Sequence, residues 1–237
     1  MEKKLKSWQG WLLFGGTMVV VFVLGMIAAS VNERHAEVTS VMNNKKTEIT
    51  GIEARNDKFE SNYPREYQTW EATADTSFKS LYNGNQAVDV LEARPEMVIL
   101  WAGYAFSKDY STPRGHMHAI EDMRNTLRVG APMTENEGPQ PATCWTCKSP
   151  DVPRMMQAMG VDNFYKGKWA SLGKEIVNPI GCADCHEPEN MNLHISRPAL
   201  IEAFQRQGKD ITKATQQEMR SLVCAQCHVE YYFKGRW

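Results

Sequence analysis

Apolar and polar positions divide the chain into three regimes. Twenty consecutive residues from Trp11 to Ser30 (WLLFGGTMVVVFVLGMIAAS) carry no charge on any side of a helix. At its usual rise such a helix spans about 30 Å, one hydrocarbon core. Val31 to Asn62 is charged and polar, with Gly51 its only glycine and no proline, and reads as a solvated helix or stalk. From Tyr63 onward Trp, Tyr, Pro and Met become frequent. There Glu96 to Phe106 (EMVILWAGYAF) predicts a buried helix, and Ala119 to Arg128 an amphipathic one stopped by Gly130. Residues 131–143 (APMTENEGPQPAT) read as a loop. Ser196 is expected to cap a helix running to about Gln207, with Leu200, Ile201 and Phe204 on one face and Gly208 as its stop. Thr212 is expected to cap another that leads towards Cys224. No alternating pattern of useful length predicts a strand. The expected fold class is mainly α with long loops, in three segments: 1–30, 31–62 and 63–237.

Length and charge narrow the picture. With 237 residues and 42% apolar positions, the chain can bury one large core or two smaller ones. A net charge of −1 gives no reason to invoke nucleic acid. Lys3, Lys4 and Lys6 precede the apolar run with Glu2 the only acid, so the N-terminus should stay in the cytoplasm and the rest be exported to the periplasm. The run itself is either an uncleaved inner-membrane anchor or a cleaved signal, given the small residues Ala28, Ala29 and Ser30. A buried helix of a soluble protein is the third reading.

The six cysteines carry the chemistry. They form three pairs: Cys144-Trp145-Thr146-Cys147-Lys148, Cys182-Ala183-Asp184-Cys185-His186 and Cys224-Ala225-Gln226-Cys227-His228. Two sulfurs one helical turn apart suit thioether bonds to a haem's vinyl groups, and the residue after the second cysteine is then presented to the iron. Histidine fills that place twice and offers a neutral imidazole nitrogen. Zinc, structural disulfides and a thioredoxin-like redox pair use cysteine pairs too. The intervals of 34 and 38 residues between pairs exceed usual zinc spacing, and the redox pair lacks its βαβ context.

Lys148 breaks the pattern. It is either a surface lysine beside a degenerate pair or an amine ligand to iron. An amine ligand must be neutral, which costs a lysine about 4–5 kcal/mol at pH 7 and which a metal bond can offset. A transfer haem fills both axial positions, whereas a catalytic one leaves a position for substrate.

A lysine-terminated haem motif followed by two C-x-x-C-H motifs resembles the ammonia-forming cytochrome c nitrite reductases. The likeness runs from Tyr63 to Gly235 and includes Pro113-Arg114-Gly115-His116, CWTCKSPD from Cys144 to Asp151, GCADCH from Gly181 to His186, and CAQCHVEYYFKG from Cys224 to Gly235. It implies a multihaem cytochrome c fold with haem c attached at the three pairs. It further implies Lys148 as proximal ligand of a catalytic haem, His186 and His228 as proximal ligands of the second and third haems, and His116 as distal ligand of the third. By the same likeness Arg114 and Tyr231 line a nitrite pocket, and Glu230 and Tyr231 contribute to a calcium site. An arginine's forked donors suit a two-oxygen anion, and a tyrosine hydroxyl can donate a proton. Implied partners are nitrite and a membrane quinol-oxidising cytochrome as electron donor, with a homodimer for the complete enzyme. Read without the likeness, Arg114 is a surface ion pair, Tyr231 a core aromatic and Glu230 a solvated acid. His118 is expected to be a loop residue, and His194 and His35 solvated.

The family carries five haems, and this chain has motifs for three. It therefore looks like an N-terminal portion of a catalytic subunit, expected to lack two further haem motifs and part of the pocket. A membrane-anchored multihaem electron carrier and an inactive fragment are the alternatives.

Overall fold

The computed structural model describes residues 7–43, 45–82, 84–129 and 140–229. Most of the expected loop over 131–143, the Gly130 helix stop, and both Glu230 and Tyr231 lie outside the described residues. The chain divides into two compact units, Met1–Lys46 and Thr47–Trp237.

The first unit is one helix, α1 (Ser7–Asn43), 37 residues long. It is long and apolar enough to cross a membrane, and none of its apolar stretch is buried in protein. The polar stretch expected as a stalk divides. Its first part continues α1 unbroken, because Val31 to Asn43 holds no glycine or proline to stop a helix. Residues 47–62 instead belong to the second unit, where Phe59 is fully buried and the Asn62 amide donates to Thr47 O at 2.7 Å.

The second unit is helical, with three isolated bridges and no strand among the described residues. Its helices of more than one turn are α2 (Pro64–Glu71), α3 (Ala119–Asn125), α4 (Asp151–Met159), α5 (Val161–Lys166), α6 (Pro198–Arg206) and α7 (Gln216–Ala225). The core gathers Trp145, Val152, Met155, Phe164, Trp169 and Ile176, all at most 1% exposed. Trp145 and Trp169 stack almost parallel, 5.6 Å between centroids, and the Trp145 indole donates to Trp169 O at 2.8 Å. Such a pair contributes about 0.5–1.5 kcal/mol beyond the area it buries. Gly160, at φ +87°, turns α4 directly into α5, a conformation an L side chain resists.

Several expected elements shift. Glu96 to Phe106 is not one buried helix: Met97–Leu100 forms a single turn, Gly103 breaks it at φ +88°, and Ala105–Ser107 forms a 3-10 turn. Ile99 is 80% exposed, while Trp101 packs on Phe106 and Tyr110 instead. The helix from Ala119 stops at Asn125, because Asp109 captures the Thr126 hydroxyl and Leu127 N–H at 2.7 and 2.9 Å. Ser196 does not cap α6. Arg197 takes that place with Pro198 after it, while Gly208 (φ +70°) follows the helix as expected. Leu200, Ile201 and Phe204 share its half-buried face. Thr215, not Thr212, caps α7 through a reciprocal capping box with Glu218.

Candidate functional site

Each cysteine pair is built on a turn. In the second, Cys182–Cys185 is one helical turn, and His186 N–H donates to Cys182 O at 2.9 Å. In the third, Cys224 belongs to the end of α7, and His228 N–H reaches Cys224 O at 2.8 Å. The first differs: a 3-10 turn, Ala142–Trp145, precedes Cys147, and Lys148 N–H reaches back only three residues, to Trp145 O at 2.9 Å. The lysine motif thus has a tighter backbone than the two histidine motifs.

The three turns converge on a buried polar hub. Arg197, with none of its surface exposed, donates to Thr146 O (2.6 Å), Ser149 O (2.9 Å), Asp184 Oδ1 (2.5 Å) and Ser196 Oγ (2.6 Å). Gln226 Nε2 donates to Asp184 O at 2.8 Å, and its Oε1 accepts the N–H groups of Ser196 and Arg197 at 2.9 and 3.1 Å. Thr146, Asp184 and Gln226 are the residue just before the second cysteine of their respective pairs. The hub therefore draws one equivalent position from each motif. A buried guanidinium is tolerated only when its donors are matched this fully.

A second clamp orients the second pair. Asn56 donates to Pro179 O (2.9 Å) and accepts Cys182 N–H (3.0 Å). Its amide lies where a Gly181 side chain would be, so only glycine fits before Cys182. Neither the hub nor this clamp was anticipated. The available signals were the polar residue at the equivalent position of all three pairs and an arginine beside Pro198.

No disulfide joins any of the six cysteines. Burial pushes Cys182 and Cys185 up to about 11, and raises Cys144 as well. Cys227 hydrogen-bonds Cys147, which holds Cys147 down at about 7 and raises Cys227 in turn. The first and third pairs are therefore neighbours.

The donor set fits haem c. His186 Nδ1 donates to Met191 O at 2.7 Å, which leaves the Nε2 lone pair available to a metal. The same histidine lines a cavity of about 750 Å³ walled by Met191, Leu193, Met219 and Val223, with Arg220 also on its wall. His116 and His228, far apart in sequence, face each other with ring centroids 6.2 Å apart. Two imidazoles sharing one metal, each with a bond of about 2 Å, place their centroids about 6 Å apart. Partial desolvation and the neighbouring His228 hold His116 below its ordinary value. No cluster of three or more His, Cys, Asp or Glu suited to a bare metal ion occurs among the described residues.

The other expected residues are placed as follows. Lys148 is half-buried beside the hub. Arg114 spends its fork on acids: Nε and Nη2 meet Asp122 Oδ1 at 2.8 and 2.6 Å, and Nη2 meets Glu121 Oε2 at 2.7 Å. Its Nη1 has no partner among the described residues. His118 is held at Ala74 O (3.1 Å) in a 3-10 turn. His194 is not a solvated imidazole: it is half-buried against the second pair, its Nε2 3.2 Å from Ala183 O and its N–H on Cys185 O at 3.0 Å. His35 is exposed on α1.

Comparison with known proteins adds to this geometry. Residues 55–236 match the family model described as cytochrome c552. The chain is 77% identical to a cytochrome c-552 of Bacteroides fragilis, over 99% of this chain and 48% of that protein. It is 72% identical to a cytochrome c-552 of Porphyromonas gingivalis, over 99% of this chain and 47% of the other. It spans about half the length of these curated relatives. Among solved structures, the catalytic subunit of the cytochrome c nitrite reductase from Desulfovibrio desulfuricans, described with two calcium sites, superposes with a TM-score of 0.72. The match is 32% identical and covers 79% of this chain and 42% of that one. Three haem-type turns around a common hub, a helical fold shared with a multihaem cytochrome, and a family match over most of the second unit agree: the chain belongs to the cytochrome c552 family.

Proposed function

We propose that this chain supplies three of the haem sites of an ammonia-forming cytochrome c nitrite reductase, with the chemistry at the first. The observation that carries this reading is Lys148, which replaces histidine in one of three motifs otherwise built around the same hub. Cys144 and Cys147, Cys182 and Cys185, and Cys224 and Cys227 hold three haem c groups. His186 and the His116–His228 pair ligate the second and third, and Lys148 the first. Bound haem supplies one-electron transfer and, where an axial position is open, a Lewis-acidic site for an anion.

The overall change, nitrite plus six electrons and eight protons to ammonium plus two waters, needs electron supply and proton supply together. Arg114 offers charge-assisted donors to the anion, its Nη1 being the donor not already given to Asp122 or Glu121. Tyr231 donates a proton to the reacting oxygen or nitrogen. Glu230 and Tyr231 contribute oxygens to a calcium ion, an oxygen-seeking cation. The second unit works in the periplasm, with α1 as export signal or anchor. A membrane quinol-oxidising cytochrome feeds it, and the complete enzyme is a homodimer.

A second reading, a membrane-anchored electron carrier, is favoured by the exposed apolar length of α1. A carrier has only six-coordinate, low-spin haems; the reductase keeps one high-spin haem. The deciding experiment begins with mass spectrometry of the matured protein, which should show three haem additions and no free thiol. Lys148→His should then keep all three haems, because both cysteines remain. It should lower the turnover of nitrite to ammonium far more than it changes the Michaelis constant. Two additions with Cys144 and Cys147 still alkylatable, or only low-spin haems in the parent, would refute the catalytic assignment.

A further inference from the structure

We propose that Arg197 is the positioning residue of the lysine-bearing motif, acting on the first haem through Lys148 without touching it. The proposal rests on the reading of Lys148 as an iron ligand. Its warrant is where the guanidinium donates. Thr146 O and Ser149 O lie immediately before and after the Cys147-Lys148 dipeptide, and one planar group holds both, through Nε at 2.6 Å and Nη2 at 2.9 Å. Lysine is a long, rotatable side chain, so the direction of its amine depends on how firmly its backbone is held. The histidine motifs have their own restraint, an N–H bond to the first cysteine's carbonyl four residues back. Lys148 has the shorter three-residue turn, and the clamp supplies the rest.

The clamp is itself fixed from the other two motifs. Asp184 accepts Arg197 through Oδ1 and Gly181 N–H through Oδ2 at 2.9 Å, while Gln226 accepts Arg197 N–H. Ser196 Oγ meets Nη1 at 2.6 Å and closes the fork. The lysine motif is therefore set by residues of the second and third haem segments. An ammonium at position 197 keeps the charge but cannot span two carbonyls and a carboxylate in one plane.

The test uses the haem-loaded chain, with haem count by mass spectrometry, spin state by electron paramagnetic resonance and potentials by spectroelectrochemistry. Arg197→Lys preserves the charge, so a purely electrostatic effect on the haems is removed. It should leave three haems attached and the two histidine-ligated signals in place. The high-spin signal should broaden into several forms, and that haem's potential should rise by at least a tenfold shift in its redox equilibrium, 59 mV for one electron. Asp184→Asn changes the charge but keeps both carbonyl contacts, and should keep a single high-spin signal. Ser196→Ala, the mildest variant, should reproduce the Arg197→Lys effect in weaker form if Arg197→Lys itself does not mature. An unchanged first haem in both Arg197→Lys and Ser196→Ala would overturn the proposal. So would equal disturbance of all three haems, which would make the hub a scaffold only. A parent with three haems attached and no high-spin signal would overturn the ligand assignment of Lys148 first, and this proposal with it.

Discussion

Replacing Asp151 with alanine should cost the second unit about 3 kcal/mol. Asp151 opens α4 three residues after Lys148 and is 1% exposed. Its Oδ2 accepts two backbone donors, Val177 N–H at 2.8 Å and Asn178 N–H at 2.9 Å. These bonds tie the chain leaving the first motif to the chain approaching the second. Each is a bond to a charged acceptor, worth about 1.5–3 kcal/mol net, so losing both removes about 3–6 kcal/mol. Val177 is 63% exposed, so water reaches this segment in the variant, which sets the low end as the expectation. The ion pair with Arg154 adds less, because that arginine side chain is 43% exposed and water screens it in part. For a unit of this size, 3 kcal/mol corresponds to about 6–12 °C in Tm. Asp151→Asn keeps one oxygen for both donors and should lose about 1 kcal/mol. Thermal unfolding followed by circular dichroism, on proteins of equal haem content, provides the measurement. A Tm for Asp151→Ala within about 2 °C of the parent would refute the reasoning. Equal losses for the two variants would show that charge, not the two donors, is what matters.

Thr215→Ala removes the capping box of α7 and should cost about 1 kcal/mol, a fall of about 2–4 °C in Tm. Hydrogen bonds from Thr215 hold Glu218 below the usual carboxylate range, so its contribution is complete above the unfolded value and disappears as pH falls through the folded one. The protection factors of the α7 amides, corrected for the intrinsic pH dependence of exchange, should therefore fall on acidification below about pH 4 in the parent and much less so in the variant. Gly181→Ala should expel the Asn56 amide and lower attachment of the second haem specifically; full haem occupancy with an unchanged Tm would discount that clamp. On the proposed reading of Arg114 as an anion-binding residue, Arg114→Ala should lower kcat/KM for nitrite about ten- to a hundredfold, with Arg114→Lys recovering part. Activity within about twofold of the parent would take Arg114 out of the pocket.

The parts of this molecule legible in its sequence are those written in contiguous residues. The uncharged run became part of α1, the cysteine spacings became turns, and Gly208 follows a helix as its composition demanded. The T-x-x-E signature of the α7 cap is equally local, at Thr215 and Glu218, and it places the helix start three residues beyond the expected Thr212. Glu96 to Phe106 misled because apolar content says nothing about whether a neighbour exists to cover it; Gly103 broke the helix and Ile99 stayed in solvent. Arg197 was invisible for a related reason. A buried arginine is defined by its acceptors, and these are backbone carbonyls and a carboxylate from segments 13 to 51 residues away. His116 and His228 were associated only through family likeness, since nothing along the chain announces that two distant imidazoles will face each other.

The hub also dictates an order of assembly. Its contacts close loops of 51, 48 and 42 residues, and its last member is Gln226. Contacts so distant form late, after the entropy of closing each loop has been overcome. As the chain emerges, N-terminus first, the first motif has no clamp until Arg197 arrives, and the clamp is incomplete until Gln226 follows. Through that interval Cys144, Cys147, Cys182 and Cys185 remain on an open chain, accessible to reaction. Closure of a single polar knot then marks the passage from a reactive, extended polypeptide to a finished one.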